Sequence, residues 1–132
     1  MQGISTSGFL AVGVGAAIGA WTRWLLGALL NPLISGMPLG TLAANLIGGG
    51  LVGVAVGVFH LNSGLSPTLK LFVITGILGG LTTFSTFSAE VMERFLAQQY
   101  AWSLLLLLTH LLGSLLMTFL GLWLVGAHRL WS

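Results

Sequence analysis

Four long apolar stretches constrain the fold of this chain more than any other feature. They run approximately from Gly8 to Leu30, Gly40 to His60, Leu69 to Ala97 and Ala101 to Ala127. A bilayer core about 30 Å thick takes roughly 20 helical residues to cross, so each stretch is long enough to span it. The 132 residues are 56% apolar and 5% charged, unlike a soluble domain. The sequence therefore predicts an all-α integral membrane protein with four transmembrane helices.

The connections between these stretches are short, and the chain is predicted to be one four-helix transmembrane domain over residues 1–132. The formal net charge of +2 comes from four basic and two acidic side chains, too few to indicate a nucleic-acid partner. Cysteine is absent, which excludes disulfides and cysteine-based metal sites.

Basic residues divide evenly between the two sides of a four-span chain. Lys70 and Arg129 fall on the side of the termini, and Arg23 and Arg94 on the other. Because an imbalance of Lys and Arg sets orientation, an even count predicts insertion both ways and an antiparallel homodimer. The alternative is that four basic residues are too few to predict the orientation of the chain in the membrane. Glycine spacing, at 15 and 19 and at 49, 53 and 57, fits close helix packing in an oligomer. The alternative is packing within one subunit, which fits the first pair at least as well.

The third stretch carries an unusual segment, "GGLTTFSTFS", at 79–88. Gly79 and Gly80 weaken a helix in mid-membrane, and the Ser and Thr hydroxyls that follow compete for its backbone hydrogen bonds. A break in helix three is predicted, since broken helices often mark ion sites. The alternative is a plain kink, with each hydroxyl bonded back to its own helix.

Other polar side chains stand out against the apolar background. Asn45 is an amide in mid-span with Thr41 one turn before it, and a polar stripe on helix four joins His110, Ser114 and Thr118. Each has a packing interpretation, but together they offer hydrogen-bond donors. The aromatic pair Phe84 and Phe87, three residues apart, adds ring edges of positive quadrupole. This donor set favours a small hydrogen-bond-accepting anion.

No catalytic constellation is present: the Ser residues lack a His–Asp partner set, and both carboxylates sit near the end of helix three. The chain is therefore predicted not to be an enzyme.

The segments "GAWTRWLLG" at 19–27, "GTLAANLIGG" at 40–49 and "GGLTTFSTFS" at 79–88, in this order on four short helices, resemble the Fluc (CrcB) family of fluoride ion channels. "HLLGSLLMTFLG" at 110–121 is also similar. The resemblance covers essentially the whole chain. It implies a multi-pass protein of the bacterial inner membrane, an antiparallel dual-topology homodimer with two pathways that conduct fluoride passively out of the cell.

The resemblance also implies residue roles. Phe84 and Phe87 would turn their ring edges to fluoride, and Asn45 would be a pore-lining donor. A structural sodium ion at the dimer interface would be held by the backbone carbonyls of Gly79 and Thr82, and Arg23 would lie in the vestibule. The remaining pathway residues would form a polar track of Thr41, Ser85, Thr86, His110, Ser114 and Thr118.

Two other classes fit parts of the pattern. Small multidrug exporters share the four helices, similar length and dual topology, but these proton-coupled antiporters need a carboxylate in helix one, where this chain has none. A structural subunit of a larger membrane complex would explain the glycine stripes but not the clusters of donors.

Overall fold

A computed structural model of the chain describes residues 4–130, and within that range every regular element is a helix. Four segments are long and apolar enough to cross a membrane, at Thr6–Leu33, Leu39–Leu61, Pro67–Leu96 and Tyr100–Leu124. They begin and end within a few residues of the predicted stretches. The prediction of an all-helical, multi-pass membrane protein is confirmed.

The first, second and fourth spans are regular, whereas the third is assembled from pieces. The regular helices are α1 (Thr6–Leu30), α2 (Leu39–Leu61) and α6 (Tyr100–Leu124). The third span consists of α3 (Pro67–Lys70), a π-helix (Leu71–Leu78), α4 (Gly79–Leu81) and α5 (Ser85–Leu96). Between α4 and α5, Thr82 is extended, with φ −81° and ψ 155°. The helical conformation is therefore interrupted before α5 begins.

The π-helix was not indicated by the sequence. Its wider turn is closed by the Gly79 N–H, which donates to the carbonyls of both Ile74 and Gly76. Within it, Gly76 lies so close to α1 that a Cβ there would be 3.0 Å from the Cα of Gly15. Such elements are rare, and hydropathy alone does not distinguish them from an α-helix.

Side-chain oxygens accept backbone N–H groups in the first turn of three helices. The Ser5 hydroxyl accepts the N–H of Gly8 at 3.0 Å at the start of α1, and Ser66 accepts the N–H of Leu69 at 3.4 Å before α3. Asn31 Oδ1 accepts the N–H of Gly40 at 2.7 Å, which ties the end of α1 to the first turn of α2. These bonds satisfy backbone donors that a helix start leaves open.

Glycines allow the helices of a single chain to touch at their backbones. A Cβ on Gly15 would lie 2.6 Å from the Phe72 carbonyl oxygen, so α1 packs directly on the third span. On α2, Gly49 and Gly53 face the Ser114 and Thr118 carbonyls of α6. The expectation that the α2 glycines serve contacts between subunits was wrong, because α6 of the same chain already covers them.

The core of the single chain is small. Ala44, Ala55, Leu78 and Leu81 form its buried cluster, while large side chains such as Phe9 (74% exposed) and Leu124 (71% exposed) point outward. Apolar surface on this scale is unfavourable in water. It fits a protein whose outer faces meet lipid or a second protein.

We expect Gly53→Ala to lower the melting temperature of the purified protein in detergent, because the new Cβ would collide with the Thr118 carbonyl oxygen. Overpacking of this kind costs about 1–3 kcal/mol. Gly13→Ala is the matched control, since nothing lies within 4 Å of a Cβ there. Tryptophan fluorescence against temperature compares the two, and equal melting temperatures would contradict the direct packing of α2 on α6.

Candidate functional site

The site is organised around a two-point hydrogen bond between the Asn45 side chain on α2 and the backbone of Thr83. Asn45 Oδ1 accepts the Thr83 N–H at 2.8 Å, and Nδ2 donates to the Thr83 carbonyl at 3.0 Å. In an uninterrupted helix the same N–H would donate to the Gly79 carbonyl, four residues earlier. The buried carboxamide therefore replaces helical bonds at the point where α4 ends.

The non-helical residues leave several carbonyl oxygens without their helical donors. The Thr86 N–H donates to Thr83 Oγ1 at 3.2 Å rather than to the Thr82 carbonyl. Arg23 Nε donates to the Gly80 carbonyl at 3.1 Å. Within residues 4–130, no hydrogen-bond donor reaches the carbonyl oxygen of Gly79 or of Thr82. Both predicted cation ligands thus have free lone pairs.

Two phenylalanines and one histidine form a continuous row of contacting rings. Phe84 and Phe87 meet edge to face, with centroids 5.5 Å apart and planes at 75°. Phe87 is 5% exposed and Phe84 77% exposed. The Phe87 ring lies over the His110 imidazole, with centroids 4.6 Å apart and planes at 22°. The row of rings runs from the surface of the chain to the buried face of α6.

The His110 imidazole has one engaged nitrogen and one unengaged nitrogen. Asn45 Nδ2 and His110 Nδ1 lie 3.0 Å apart, a hydrogen bond that joins α2 to α6. Nε2 is buried and has no hydrogen-bond partner within residues 4–130. Both N–H groups of the Asn45 amide are therefore engaged, by Thr83 and by His110, and its role as a pore-lining donor stays a prediction.

Most of the predicted track hydroxyls have protein partners. Thr118 Oγ1 donates to the Gly49 carbonyl at 3.0 Å and to the Ser114 carbonyl at 2.9 Å. The Thr83 hydroxyl lies 3.1 Å from that of Thr86 and 3.5 Å from the exposed Ser85 hydroxyl. The Thr118 hydroxyl thus joins α6 to α2, and the Thr83 hydroxyl contacts the first turn of α5.

Thr41 makes a contact that the sequence did not indicate. Its hydroxyl donates to Glu90 Oε1 at 2.6 Å, and the other carboxylate oxygen is buried without a partner within residues 4–130. Arg94, one helical turn after Glu90, donates to Gln99 Oε1 at 2.9 Å. The Glu90 carboxylate in an apolar span was a signal that a buried partner exists. The sequence could not identify that partner, because Thr41 is 49 residues away.

A cavity of about 440 Å³ lies between α2, the third span and α6. The structure brings seven of the predicted residues to its lining: Asn45, Gly79, Thr82, Phe84, Phe87, His110 and Ser114. The others lie outside that lining: Arg23, Thr41, Ser85, Thr86 and Thr118. Within residues 4–130 no three His, Cys, Asp or Glu side chains form a metal cluster.

Comparison with known proteins identifies the family of this chain and several similar proteins. The family described as CrcB-like protein, Camphor Resistance (CrcB), matches residues 10–122. A protein of Dechloromonas aromatica named fluoride-specific ion channel FluC is 65% identical over 129 residues, covering 98% of this chain and 96% of its own. Relatives with the same name in Nitrosospira multiformis (60% identical, 85% and 88% covered) and Ralstonia pickettii (58% identical, 92% and 97% covered) are also similar.

The match includes every residue that lines the cavity, and it runs through all four apolar spans. The chain belongs to the CrcB family.

Proposed function

We propose that this chain forms a channel that conducts fluoride passively across the membrane, down its electrochemical gradient. One observation carries the proposal: Asn45, Phe84, Phe87, His110 and Ser114, from three different spans, converge on one cavity. Relatives up to 65% identical are named fluoride-specific ion channels, which supports the same ion here. No reaction is involved, so the chain acts as a channel and not as an enzyme.

Fluoride is small and strongly hydrated, so a selective pathway has to replace its water with other positive groups. The edge of an aromatic ring carries positive quadrupole, and Phe84 and Phe87 present their rings at 75° to each other. Hydroxyls at Ser114 and Thr118 continue along α6, and Thr41, Ser85 and Thr86 complete the polar track. We assign Arg23 to the vestibule, where a cation raises the local concentration of anions.

We further propose that Thr82–Phe84 is the functional break in helix three, and that two chains associate antiparallel around it. The even division of basic residues supports insertion in both orientations, and the exposed Phe84 supports a pathway completed by a second copy. The bacterial inner membrane is the expected location, where the channel would release fluoride accumulated in the cytoplasm.

The residues present fit a structural sodium ion. Within the described residues, no protein donor reaches the carbonyl oxygens of Gly79 and Thr82, and oxygen ligands suit a hard cation. We propose that these carbonyls, from both copies, hold sodium at the dimer interface. Bound there, the ion would supply positive charge that joins two oxygen-rich backbone segments.

In liposomes containing the purified protein, we expect Phe84→Ile and Phe87→Ile each to slow fluoride efflux about tenfold, since losing about 1.4 kcal/mol of interaction with the ion changes a rate by that factor. A fluoride electrode measures the efflux, and chloride efflux measured in parallel gives the selectivity. Phe9→Ile, on the outer face of α1, is the matched control. Wild-type liposomes no leakier to fluoride than empty ones would overturn the proposed function. Unchanged efflux in both variants would overturn only the aromatic role.

Tags placed at the C-terminus should be found on both sides of the membrane in similar amounts. The reason is the equal count of Lys and Arg at the two sides, which gives no preferred orientation. Labelling of a C-terminal cysteine with a membrane-impermeant reagent, before and after permeabilisation, measures the two fractions. Adding two lysines next to Lys70 should drive the tags to one side. A single orientation in the unmodified chain would contradict the antiparallel dimer.

Sodium should raise the melting temperature of the detergent-solubilised protein relative to N-methylglucamine at equal ionic strength. An ion that binds only the folded dimer stabilises it, by about 2.7 kcal/mol at one hundred times its dissociation constant. Potassium serves as the control for a nonspecific salt effect. Equal melting temperatures in all three salts would contradict the sodium site while leaving the conduction of fluoride untouched.

A further inference from the structure

The orientation of the Asn45 amide is dictated by its contact with one residue. Oδ1 lies 2.8 Å from the Thr83 nitrogen, and Nδ2 lies 3.0 Å from the Thr83 carbonyl oxygen. With the amide flipped, its NH₂ group would face the Thr83 N–H, and its oxygen would face the Thr83 carbonyl oxygen. The amide therefore turns its NH₂ group, and not its oxygen, toward α6.

This orientation determines which nitrogen of His110 carries the proton. The NH₂ group of Asn45 points to His110 Nδ1 at 3.0 Å, so Nδ1 has to accept a hydrogen bond. A ring nitrogen that accepts has no proton, and in neutral imidazole the other nitrogen then donates. His110 is the Nε2–H tautomer, fixed by Asn45.

Stacking fixes the plane of the same ring. The Phe87 ring covers the imidazole at 4.6 Å and 22°, and His110 as a whole is 3% exposed. With its plane set by Phe87 and its rotation set by Asn45, the imidazole cannot turn Nε2 to another acceptor without losing the hydrogen bond to Asn45. Nε2–H is thus a pre-oriented donor, buried and without a partner within residues 4–130.

We propose that His110 Nε2–H donates a hydrogen bond to the permeating anion in the cavity between Phe87 and Ser114, and that Asn45 is the positioning residue that prepares this donor. The inference rests on the proposed conduction of fluoride and assigns one of its binding steps. A buried N–H that has no partner favours any acceptor that enters the cavity without its water. Fluoride stripped of water is such an acceptor.

Asn45 itself is the pore-lining donor that the family resemblance implies, whereas here the donor to the anion is His110. Asn45 has two N–H groups, and both are engaged, one by the Thr83 carbonyl and one by His110 Nδ1. Asn45 therefore acts on the ion indirectly, because it orients the imidazole that donates the hydrogen bond. Ser114, one helical turn after His110 and also on the cavity, is placed to receive the ion next.

Nitrogen-15 NMR of the wild-type protein in liposomes tests the proposal without any substitution. We expect His110 to give the spectrum of a neutral Nε2–H imidazole, and its Nε2 and attached-proton resonances to shift as sodium fluoride replaces sodium chloride. His60 and His128, both exposed, are internal controls whose resonances should not move. The assignment uses the spectrum that His110→Gln lacks.

Substitutions supply a second measurement. His110→Phe retains a ring to stack on Phe87 but removes both nitrogens, and we expect fluoride efflux to fall about tenfold, the effect of losing one hydrogen bond to a charged group. His110→Gln offers an oxygen to Asn45 and an NH₂ group beyond it, and should recover part of that loss. Thr109→Val is the control on the same helix, because the Thr109 hydroxyl only bonds back to the Leu105 and Leu106 carbonyls.

The outcomes are distinguishable. A Nε2 resonance that does not respond to fluoride, in liposomes that conduct fluoride, would overturn the donor role of His110 and leave the channel function standing. That result would also follow if a second copy of the chain supplied the acceptor. An Nδ1–H tautomer would overturn the assignment made from Asn45. Liposomes that conduct no fluoride would remove both the proposed function and this inference.

Discussion

One constraint shapes the third span: backbone N–H and carbonyl groups at membrane depth need hydrogen-bond partners, because lipid offers none. The Asn45 carboxamide supplies them for Thr83, with bonds of 2.8 and 3.0 Å. Each buried group left without a partner would cost about 1–3 kcal/mol. A single amide on α2 therefore offsets the energetic cost of a non-helical turn in a place where a helix would otherwise continue.

The rest of the site follows from that turn. Because α5 starts again at Ser85, Phe84 lies just outside it while Phe87 lies in its first turn. The two rings consequently meet edge to face. The same turn withdraws donors from Gly79 and Thr82 and leaves the Gly80 carbonyl to Arg23. Aromatic edges, free carbonyls and a guanidinium contact thus have one structural origin, the interruption of helical hydrogen bonding.

Sequence reasoning located the four spans and most of the cavity residues for a simple physical reason. Hydropathy reports membrane crossing directly, and a polar side chain such as Asn45 or His110 is conspicuous in an apolar helix. What it could not give was the partner of each group. The bond from Asn45 to His110 links residues 65 apart, and that from Thr41 to Glu90 links residues 49 apart. Helical spacing identifies a face, but not what that face meets, which is why the α2 glycines were assigned to the wrong neighbour.

A pathway has to bind its ion strongly enough to replace water and weakly enough to release it. Within residues 4–130, the cavity lining contains no Lys or Arg, and the Nε of Arg23 is directed to the Gly80 carbonyl. The NH₂ group of Asn45 is directed at His110 Nδ1, which accepts its hydrogen bond. The donors that face the cavity are therefore uncharged dipoles and ring edges. Such groups favour an anion locally without the deep trap that a full positive charge would create, and this balance is what rapid passage of a small halide requires.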